Sequence, residues 1–379
     1  MNKRQIKNLV AYGKAMKMMS CSNFTVNPKF ILETIRNCGY NAYTAIADIT
    51  DNSLESQVGA KNISVTFEVD EKKKITAIII SDDGCGMDFE TLVEALALGS
   101  ETGKDFYSLG RYGSGMKTSS FSLGKILEVF TKTEEGNLLI GSINLDDAYK
   151  DNGVCNLNDM SKFYETGTDS EVFDWFISKT NSTHGTVVRI SNLDGLTNRD
   201  LYSFSDTLRN RFGEIYNKFI INNVVDITVN GKECPCVDLM ASPYGSKLLG
   251  SGDIVVDGLI IKYKAYYLPR MEEKRFSGEK HIKVSDGLYG LDRGLSNQGF
   301  YLYRCNRLVG KALTLGMYDR HSTKNGFRCE LFFDGDCDYL FGSTFTKIVT
   351  EKVKSALNQS LLLLAQKLLD SNQFLVRIY

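Results

Sequence analysis

The stretch that decides the fold runs from Asp82 to Ser119 and holds two glycine clusters, Asp82-Asp83-Gly84-Cys85-Gly86 and Gly110-Arg111-Tyr112-Gly113-Ser114-Gly115-Met116-Lys117-Thr118. The first cluster follows an apolar run, Ile75 to Ser81, that predicts a β-strand. Glycines at alternate positions remove side chains where the backbone turns sharply, and they let a flat ring or a phosphate approach closely. The acidic residue Asp82 begins that turn.

The second cluster offers consecutive backbone N–H groups that lead into a helix, an arrangement that binds phosphate oxygens. A Walker A loop is the competing interpretation, but it requires a lysine directly after the last glycine and a strand before the loop. Here Met116 separates Gly115 from Lys117, and Thr91–Leu98 is predicted to be helical. The pattern therefore disfavours a Walker A loop, and the two clusters together predict an ATP site of another kind.

A helix is predicted upstream, over Ala45–Val58. Its apolar residues face a core, and its polar residues at positions i, i+4 and i+7 share the opposite face. These polar residues are Asp48, Asn52 and Glu55. A carboxylate and a carboxamide one turn apart can orient a water molecule and hold Mg²⁺ against phosphates. A solvated polar stripe on the protein surface is the alternative.

Taken in order, these stretches resemble the motifs of the GHKL ATPases, the superfamily of gyrase, Hsp90, histidine kinases and MutL. Asp48-Ile-Thr-Asp51-Asn52-Ser53 resembles the first motif, and Asp82-x-Gly84-x-Gly86-Met87 resembles the second. The segment Gly110-x-x-Gly113-x-Gly115 resembles the ATP lid, and His184 to Ile190 resembles the Gly-Thr strand that closes the adenine pocket. Within the superfamily, the amino-acid sequences of these motifs are most similar to those of MORC ATPases and their prokaryotic relatives.

This resemblance implies an α+β fold. It consists of a Bergerat-fold ATPase domain, a mixed sheet with helices on one face, followed by an S5-like transducer domain and a C-terminal helix. We assign residues 1–198 to the ATP-binding domain and residues 199–379 to the transducer-like domain. Residues 144–183 are interpreted as an insertion that either covers the nucleotide or contacts a partner.

In the second domain, apolar patterning predicts strands and a long terminal helix. The predicted strands are Val225–Val229, Ile254–Tyr267, Gly299–Val309 and Arg328–Phe333, and the predicted helix is Phe345–Leu369. The segment Tyr301–Val309 resembles the family's strand and tight turn with an arginine. Lys347 stands where transducer domains present a lysine to the γ-phosphate.

The resemblance also implies roles for single residues. Asp82 is expected to accept a hydrogen bond from the adenine amino group, beside a water held by Thr186, and Asn52 is expected to coordinate Mg²⁺. Lys117 and Lys347 are expected to neutralise charge on the transferred phosphoryl group. The complete set of implied nucleotide-binding residues is Asn52, Asp82, Gly84, Gly86, Met87, Gly110, Tyr112, Gly113, Ser114, Gly115, Met116, Lys117, Thr118 and Thr186.

Asp48 is where the chain departs from the family pattern, because the family usually has glutamate as the general base at this position. Aspartate is one methylene shorter, and a misplacement on the order of 1 Å can reduce a rate about a hundredfold. We therefore expect slow hydrolysis with Asp48 as the base. Asp51 is the alternative base, although its position directs it away from the face that Asp48 and Asn52 share.

Nine scattered cysteines, an odd number, favour a reducing cytoplasm over a disulfide-bonded secreted protein. No apolar run approaches the length of a membrane span, and the first residues lack the apolar core of a secretory signal. We therefore expect a cytoplasmic protein without a membrane partner.

The net charge of -1 provides no overall basic field for nucleic acid. Basic residues interleaved with tyrosines and a phenylalanine between Lys262 and Lys283 form a candidate surface for duplex DNA. Glu272, Glu273 and Glu279 weaken the field there, so a solvated strand pair is the alternative.

By resemblance, ATP binding closes the lid and clamps two protomers into a homodimer, and hydrolysis resets the clamp. Prokaryotic relatives of MORC are associated with restriction and anti-phage operons, which implies action on DNA in defence, together with an operon-encoded effector protein. Two alternatives stand beside this hypothesis. One is a nucleotide-gated scaffold with negligible turnover, and the other is an Hsp90-like chaperone.

Overall fold

The computed structural model describes residues 33–34, 36–37, 39–97, 115–147, 161–269, 281–341, 357 and 359–361. Within these ranges the chain forms an eight-stranded sheet, called the first sheet, and a five-stranded sheet, called the second sheet. A small three-stranded sheet accompanies them.

The first sheet has the strand order β5-β4-β3-β6-β2-β1-β7-β8. Its strands are β1 (Asn62–Val69), β2 (Ile75–Asp82), β3 (Ile126–Lys132), β4 (Leu138–Asn144), β5 (Ser161–Thr166), β6 (Gly185–Ser191), β7 (Asp226–Val229) and β8 (Lys232–Glu233). The β1–β7 pair is parallel and the other pairs are antiparallel, so the sheet is mixed, as predicted.

Six α-helices of at least five residues lie within the described ranges. They are α1 (Ala42–Thr50), α2 (Phe89–Leu96), α3 (Gly115–Leu123), α4 (Glu171–Thr180), α5 (Leu201–Ile215) and α6 (Asn217–Ile221). The helix predicted over Thr91–Leu98 is α2, which begins two residues earlier because Asp88 accepts a hydrogen bond from the Thr91 N–H at 2.8 Å and so caps it.

Successive side chains along each strand of the first sheet point to opposite faces, and both faces are apolar. Ile78, Ile80 and Val188 point into the main core, where they pack with α1 and α5. Ile79 and Val187 point to the opposite face, where α4 covers them with Phe173 and Phe176. The prediction of helices on one face is therefore wrong for α4, since the sheet is apolar on both sides.

The predicted insertion includes β5 and α4. Its β5 extends the edge of the first sheet, and α4 packs on the sheet face opposite α1. Helix α4 therefore contributes to a second core, whereas Leu145 and Phe163 of the same segment pack with the main core on the face that carries α1.

Helix α5 belongs to the core of the first sheet. Phe204 stacks on Tyr43 of α1 at a centroid distance of 4.9 Å and meets Phe67 of β1 edge-on at 5.7 Å. Farther along the chain, β7 pairs with β1. The first core therefore extends to Cys234, beyond the boundary that we assigned at residue 198.

The second sheet has the order β10-β11-β16-β14-β15. Its strands are β10 (Lys247–Val256), β11 (Leu259–Tyr267), β14 (Gly299–Arg304), β15 (Arg307–Leu313) and β16 (Phe327–Phe333), and the small sheet holds β9 (Cys236–Val237), β12 (Ile282–Ser285) and β13 (Leu288–Gly290). The single strand predicted over Ile254–Tyr267 is instead parts of two strands, because Asp257 and Gly258 adopt positive φ and reverse the chain.

The predicted terminal helix lies mostly outside the described residues. Leu357 and Leu361 are helical and fully buried against the core of the second sheet. Among the described residues, no helix is long and apolar enough to cross a membrane.

We predict that Phe204→Ala lowers the free energy of unfolding by about 3–5 kcal/mol, because it leaves a cavity between α1, α5 and β1. Tyr202→Ala is the matched control on the same helix, since Tyr202 is 64% exposed, and it should change stability by less than about 0.5 kcal/mol. Urea unfolding followed by circular dichroism measures both variants. Equal effects would show that α5 does not belong to this core.

Candidate active site

Helix α1 carries the first predicted motif, and its start is fixed by a capping box. The Asn41 side chain accepts a hydrogen bond from the Thr44 N–H, and the Thr44 hydroxyl oxygen accepts one from the Asn41 backbone N–H. The helix ends at Thr50 and continues as a 3₁₀ turn, Asp51–Leu54, so it is shorter than the predicted Ala45–Val58. Aspartate, asparagine and serine in this turn favour local hydrogen bonds over helix propagation.

Asp48, the predicted base, is buried on α1 with 5% of its surface exposed. The Tyr40 hydroxyl donates a hydrogen bond to Asp48 Oδ2 at 3.0 Å. Burial raises the pKa of Tyr40, and the neighbouring Asp48 carboxylate raises it further, so the phenol stays protonated and can donate. Asn52 is half-buried in the turn that follows the helix.

The N-terminus of α3 lies against the Asp48 carboxylate. A Cβ atom at Gly115 would lie 2.9 Å from Asp48 Oδ2, closer than real Cβ contacts allow. Unpaired N–H groups at a helix N-terminus carry partial positive charge, which favours a carboxylate there. Asp48 therefore lies where α1 meets the end of the predicted lid, and only glycine fits at residue 115 without a shift of this carboxylate.

Asp82, at the end of β2, is a buried carboxylate with 6% of its surface exposed. The Ser53 hydroxyl donates to its Oδ2 at 2.7 Å, and the Gly84 N–H donates to its Oδ1 at 3.0 Å. Burial raises the pKa of Asp82 to about 6, although both hydrogen bonds favour the ionised form. Asp82 thus titrates close to neutral pH.

The glycine turn after Asp82 passes close to neighbouring backbone. A Cβ atom at Gly86, where φ is 68°, would lie 2.0 Å from the carbonyl oxygen of Lys132. At Gly84 it would lie 2.3 Å from the Val58 side chain. The chain's own packing therefore requires glycine at both positions, and the close approach of a flat ring or a phosphate stays a prediction.

Thr186 lies opposite Asp82 in the register of the β2–β6 pair. Its hydroxyl oxygen is 3.1 Å from that of Thr131 on β3, and the Met87 N–H donates to Thr131 Oγ1 at 2.8 Å. Asp82 and Thr186 lie on the sheet face that carries α1, because they alternate in step with Ile80 and Val188. The first motif, the second motif and the Gly-Thr strand therefore meet on one face of the first sheet.

Lys117 links helices α3 and α2. It is fully buried on α3, and its ammonium group donates to the carbonyl oxygens of Ala95, at 2.9 Å, and of Ala97. A cation is favoured at the C-terminus of α2, where carbonyl groups lack helical partners. The predicted role at the phosphoryl group would require Lys117 to leave these carbonyls.

Several predicted residues lie outside the described ranges, namely Gly110, Tyr112, Gly113, Ser114 and Lys347. Of the other lid residues, Met116 packs against the main core and Thr118 is buried on α3. Asp51, the alternative base, has Arg307 Nε 2.7 Å from its Oδ1. Glu55 lies beyond the 3₁₀ turn and is buried, so it does not continue the stripe of α1.

The candidate DNA surface is only partly described, because residues 270–280 lie outside the described ranges. Lys262 and Lys264 are exposed on β11, and Lys283 pairs with Asp286. Tyr263 packs into the core of the second sheet, and Tyr266 packs with the core on its other face. The described aromatic side chains of this surface therefore serve packing, and its exposed part is basic.

Comparison with known proteins agrees with this geometry. Residues 40–167 match a family model described as "Histidine kinase-, DNA gyrase B-, and HSP90-like ATPase". Residues 40–167 are thus similar to a GHKL ATPase domain. The matched residues include Asp48, Asn52 and Asp82, so the family model covers the part of the chain that forms the site.

Plant and nematode proteins are similar to part of this chain. Over 105 residues the chain is 35% identical to Protein MICRORCHIDIA 6 of Arabidopsis thaliana, covering 27% of this chain and 16% of the relative. It is 32% identical over 121 residues to Protein MICRORCHIDIA 1 of the same plant, covering 32% of this chain and 19% of the relative. It is 32% identical over 92 residues to ATPase morc-1 of Caenorhabditis elegans, covering 24% and 10%. The matches thus span a fifth or less of each relative, and they confirm the resemblance to MORC ATPases.

Three residues that form hydrogen bonds within this site were not predicted from the sequence. Ser53 and Tyr40 donate hydrogen bonds to Asp82 and Asp48, and Thr131 links the glycine turn after Asp82 to β6. Ser53 adjoins Asn52 and could have been suspected from that position. No spacing signal connects Tyr40 or Thr131 to the motifs, because the fold brings them there.

We predict that Gly115→Ala destabilises the protein by about 1–3 kcal/mol, because the new methyl group would force Asp48 out of place. Alanine in a helix is normally more stable than glycine by about 1 kcal/mol, so the sign of the effect is diagnostic. Thermal unfolding by calorimetry measures it.

The control is the same substitution in an Asp48→Ala background, which removes the obstructing carboxylate. There, Gly115→Ala should be neutral or stabilising. An equal loss in both backgrounds would mean that the contact with Asp48 is not the cause.

Proposed function

We propose that the chain binds ATP with Mg²⁺ on the sheet face where Asp82, Thr186 and α1 meet, and that it hydrolyses ATP slowly. The observation that carries this proposal is the buried Asp82 carboxylate, which lies on the same sheet face as α1, the helix that bears Asp48 and leads into the turn with Asn52. The GHKL family match over residues 40–167 supports it.

The residues of this face fit an adenine nucleotide. A buried carboxylate is the chemistry that accepts a hydrogen bond from the exocyclic amino group of adenine. The Thr186 hydroxyl, opposite Asp82 in register, can hold a bridging water at the same place. Asp82 therefore selects adenine by its amino group, and Thr186 supports that contact.

Asn52 fits a magnesium ion that arrives with the nucleotide. Mg²⁺ prefers oxygen ligands and is commonly held by one or two protein groups together with substrate phosphates. When bound, Mg²⁺ would neutralise charge on the phosphate oxygens. The Asn52 carboxamide, half-buried just after α1, offers one such oxygen.

Asp48 is the group that we assign to the chemical step. It accepts a proton from water while the water oxygen attacks the γ-phosphorus, and the bond from that phosphorus to the bridging oxygen of ADP breaks. Tyr40 fixes the carboxylate through its 3.0 Å hydrogen bond. The shorter side chain of aspartate leaves it farther from the water, so turnover is slow.

The remaining contacts of the proposal involve the lid. Its backbone N–H groups between Gly110 and Gly115 would surround the phosphates, and Lys117 and Lys347 would neutralise the developing charge. Closure of the lid would then clamp two protomers together, and hydrolysis would release them.

The proposed wider role is action on duplex DNA in prokaryotic defence, with an operon-encoded effector protein as partner. Support comes from the MICRORCHIDIA relatives and from the exposed Lys262 and Lys264 on β11. Lysines that reach phosphates make binding weaken with rising salt. ATPase morc-1 supports the hydrolytic part of the proposal by its name.

The experiment that tests this function measures phosphate release from ATP and Mg²⁺, with and without duplex DNA, together with the dimer fraction by light scattering. Asp48→Ala should lower kcat about 10²-fold or more while ATP still drives dimerisation. Asn52→Ala should lose both. Glu128→Gln, on the opposite sheet face beside Arg189, is the control that should keep wild-type turnover.

Each contrary outcome has a definite meaning. Dimerisation by ATP without turnover in the wild type would identify a nucleotide-gated scaffold. Absence of ATP binding would refute the proposed site. Turnover that DNA does not stimulate and salt does not change would refute the DNA-directed role.

We predict that ATP binding is about tenfold weaker at pH 5 than at pH 7. The pKa of Asp82 is raised to about 6, so its carboxylate is mostly protonated at pH 5 and loses acceptor capacity. Fluorescence titration with a labelled ATP analogue at several pH values measures the effect.

The control compares two neighbouring acids. Asp82→Asn should remove this part of the pH dependence, and Asp83→Asn should retain it. Burial alone would raise the pKa of Asp83, but hydrogen bonds from Asn62 and Lys61 lower it overall, so Asp83 is ionised across this range. An unchanged profile in Asp82→Asn would refute the assignment.

A further inference from the structure

A buried ion pair joins the catalytic helix to the second sheet. Arg307 Nε lies 2.7 Å from Asp51 Oδ1, and the two side chains are 7% and 1% exposed. Asp51 is the residue that follows α1, and Arg307 is the first residue of β15. The contact spans 256 positions of the sequence, so it reports on how the two sheets are placed.

Tyr216 completes this junction. It is fully buried at the end of α5, and its hydroxyl oxygen lies 3.0 Å from the same Asp51 Oδ1 and 2.7 Å from the carbonyl oxygen of Ala47. The hydroxyl has one proton and can donate it to either acceptor. Burial raises the pKa of Tyr216 well above its usual value, and the Asp51 charge adds to this, so the proton is retained.

The junction holds the end of α1. The Asp51 N–H donates to the carbonyl oxygens of Ala47 and Ile49, and the Asp51 carboxylate binds Arg307. Asp48 precedes Asp51 by less than one turn, and Asn52 follows it directly. A movement of Asp51 would therefore shift both residues that we assign to catalysis.

The arginine in this junction is fully charged. Burial alone would lower the pKa of Arg307, but Asp51 raises it, and Tyr216 and Asp48 add to the increase. A buried ion pair is fixed in geometry because either charge alone would be costly in an apolar setting. The contact can therefore transmit a displacement of β15 to Asp51 at the end of α1.

We propose that Arg307 is a positioning residue for the ATP site, which holds Asp51 and so sets the places of Asp48 and Asn52 from the second sheet. The proposal rests on the ATPase function proposed above and adds its regulation. The hairpin of β14 and β15 becomes the element through which a change in the second sheet alters catalysis. An ordinary structural ion pair is the competing explanation.

The matched control lies on the same hairpin. Arg304 is the cross-strand partner of Arg307, and its Nε lies 2.8 Å from Asp338 Oδ1 with side-chain exposures of 3% and 12%. This second buried pair joins β14 to the residues that follow β16, and neither of its members belongs to α1. Arg304→Met and Arg307→Met thus remove equivalent charges from one hairpin.

The experiment compares kcat and KM of these variants well below their melting temperatures. Both variants should melt earlier than the wild type. Only Arg307→Met should also lower kcat, by about tenfold or more, and raise KM severalfold, because Asp48 and Asn52 are both displaced. Equal kinetics in the two variants would overturn the proposal.

A double variant separates stability from position. Asp51→Asn with Arg307→Met removes both charges, so it should recover part of the lost melting temperature. The value of kcat should stay low, because the link to α1 is still missing. Full recovery of kcat would show that Arg307→Met lowers kcat only by destabilising the fold.

Hydrogen exchange tests the proposal without any turnover. In the nucleotide-free protein, amides of residues 42–54 should exchange about tenfold faster in Arg307→Met than in Arg304→Met. If the wild type does not hydrolyse ATP, the ATPase proposal fails while this comparison still decides the role of Arg307. Equal exchange in the two variants would refute it.

Discussion

The burial of α1 against the first sheet is the constraint on which the rest of the structure depends. Ala45, Ile46 and Ile49 are fully or almost fully buried, so the helix can take only one rotation about its axis. That rotation places Asp48 against the start of α3 and leaves Asp51 at the junction with Arg307. One packed helix thereby connects the site, the lid end and the second sheet.

Polar groups around this helix are buried in bonded sets. Asp82 with Ser53, Asp48 with Tyr40, Asp51 with Arg307, and Lys117 with two carbonyl groups each satisfy a charge that would be costly alone. The bonding partners come from distant parts of the chain in three of these sets. Such sets give the interior a single arrangement, because shifting one member leaves another unpaired.

The motifs were predictable from sequence because they are local. The apolar run from Ile75 to Ser81 predicted β2, and the glycine spacing predicted its turn. The ends of α1, the two-sided apolar sheet and the hairpin at Asp257 were not predicted, since they depend on packing and on single positive φ angles. The contacts of Tyr40 with Asp48 and of Arg307 with Asp51 were not predicted either, because tertiary contacts produce no periodic pattern in the sequence.

The buried Asp82 also has a cost for the free protein. Its pKa is about 6 in the fold against 3.8 for the ordinary group, so the native state binds a proton more tightly than the unfolded chain does. Folding stability therefore falls as pH rises from about 4 to 6, by about 3 kcal/mol at most. A ligand that donates a hydrogen bond to this carboxylate offsets the loss. At neutral pH, where Asp82 is mostly ionised, such a ligand would therefore raise the folding stability of the protein.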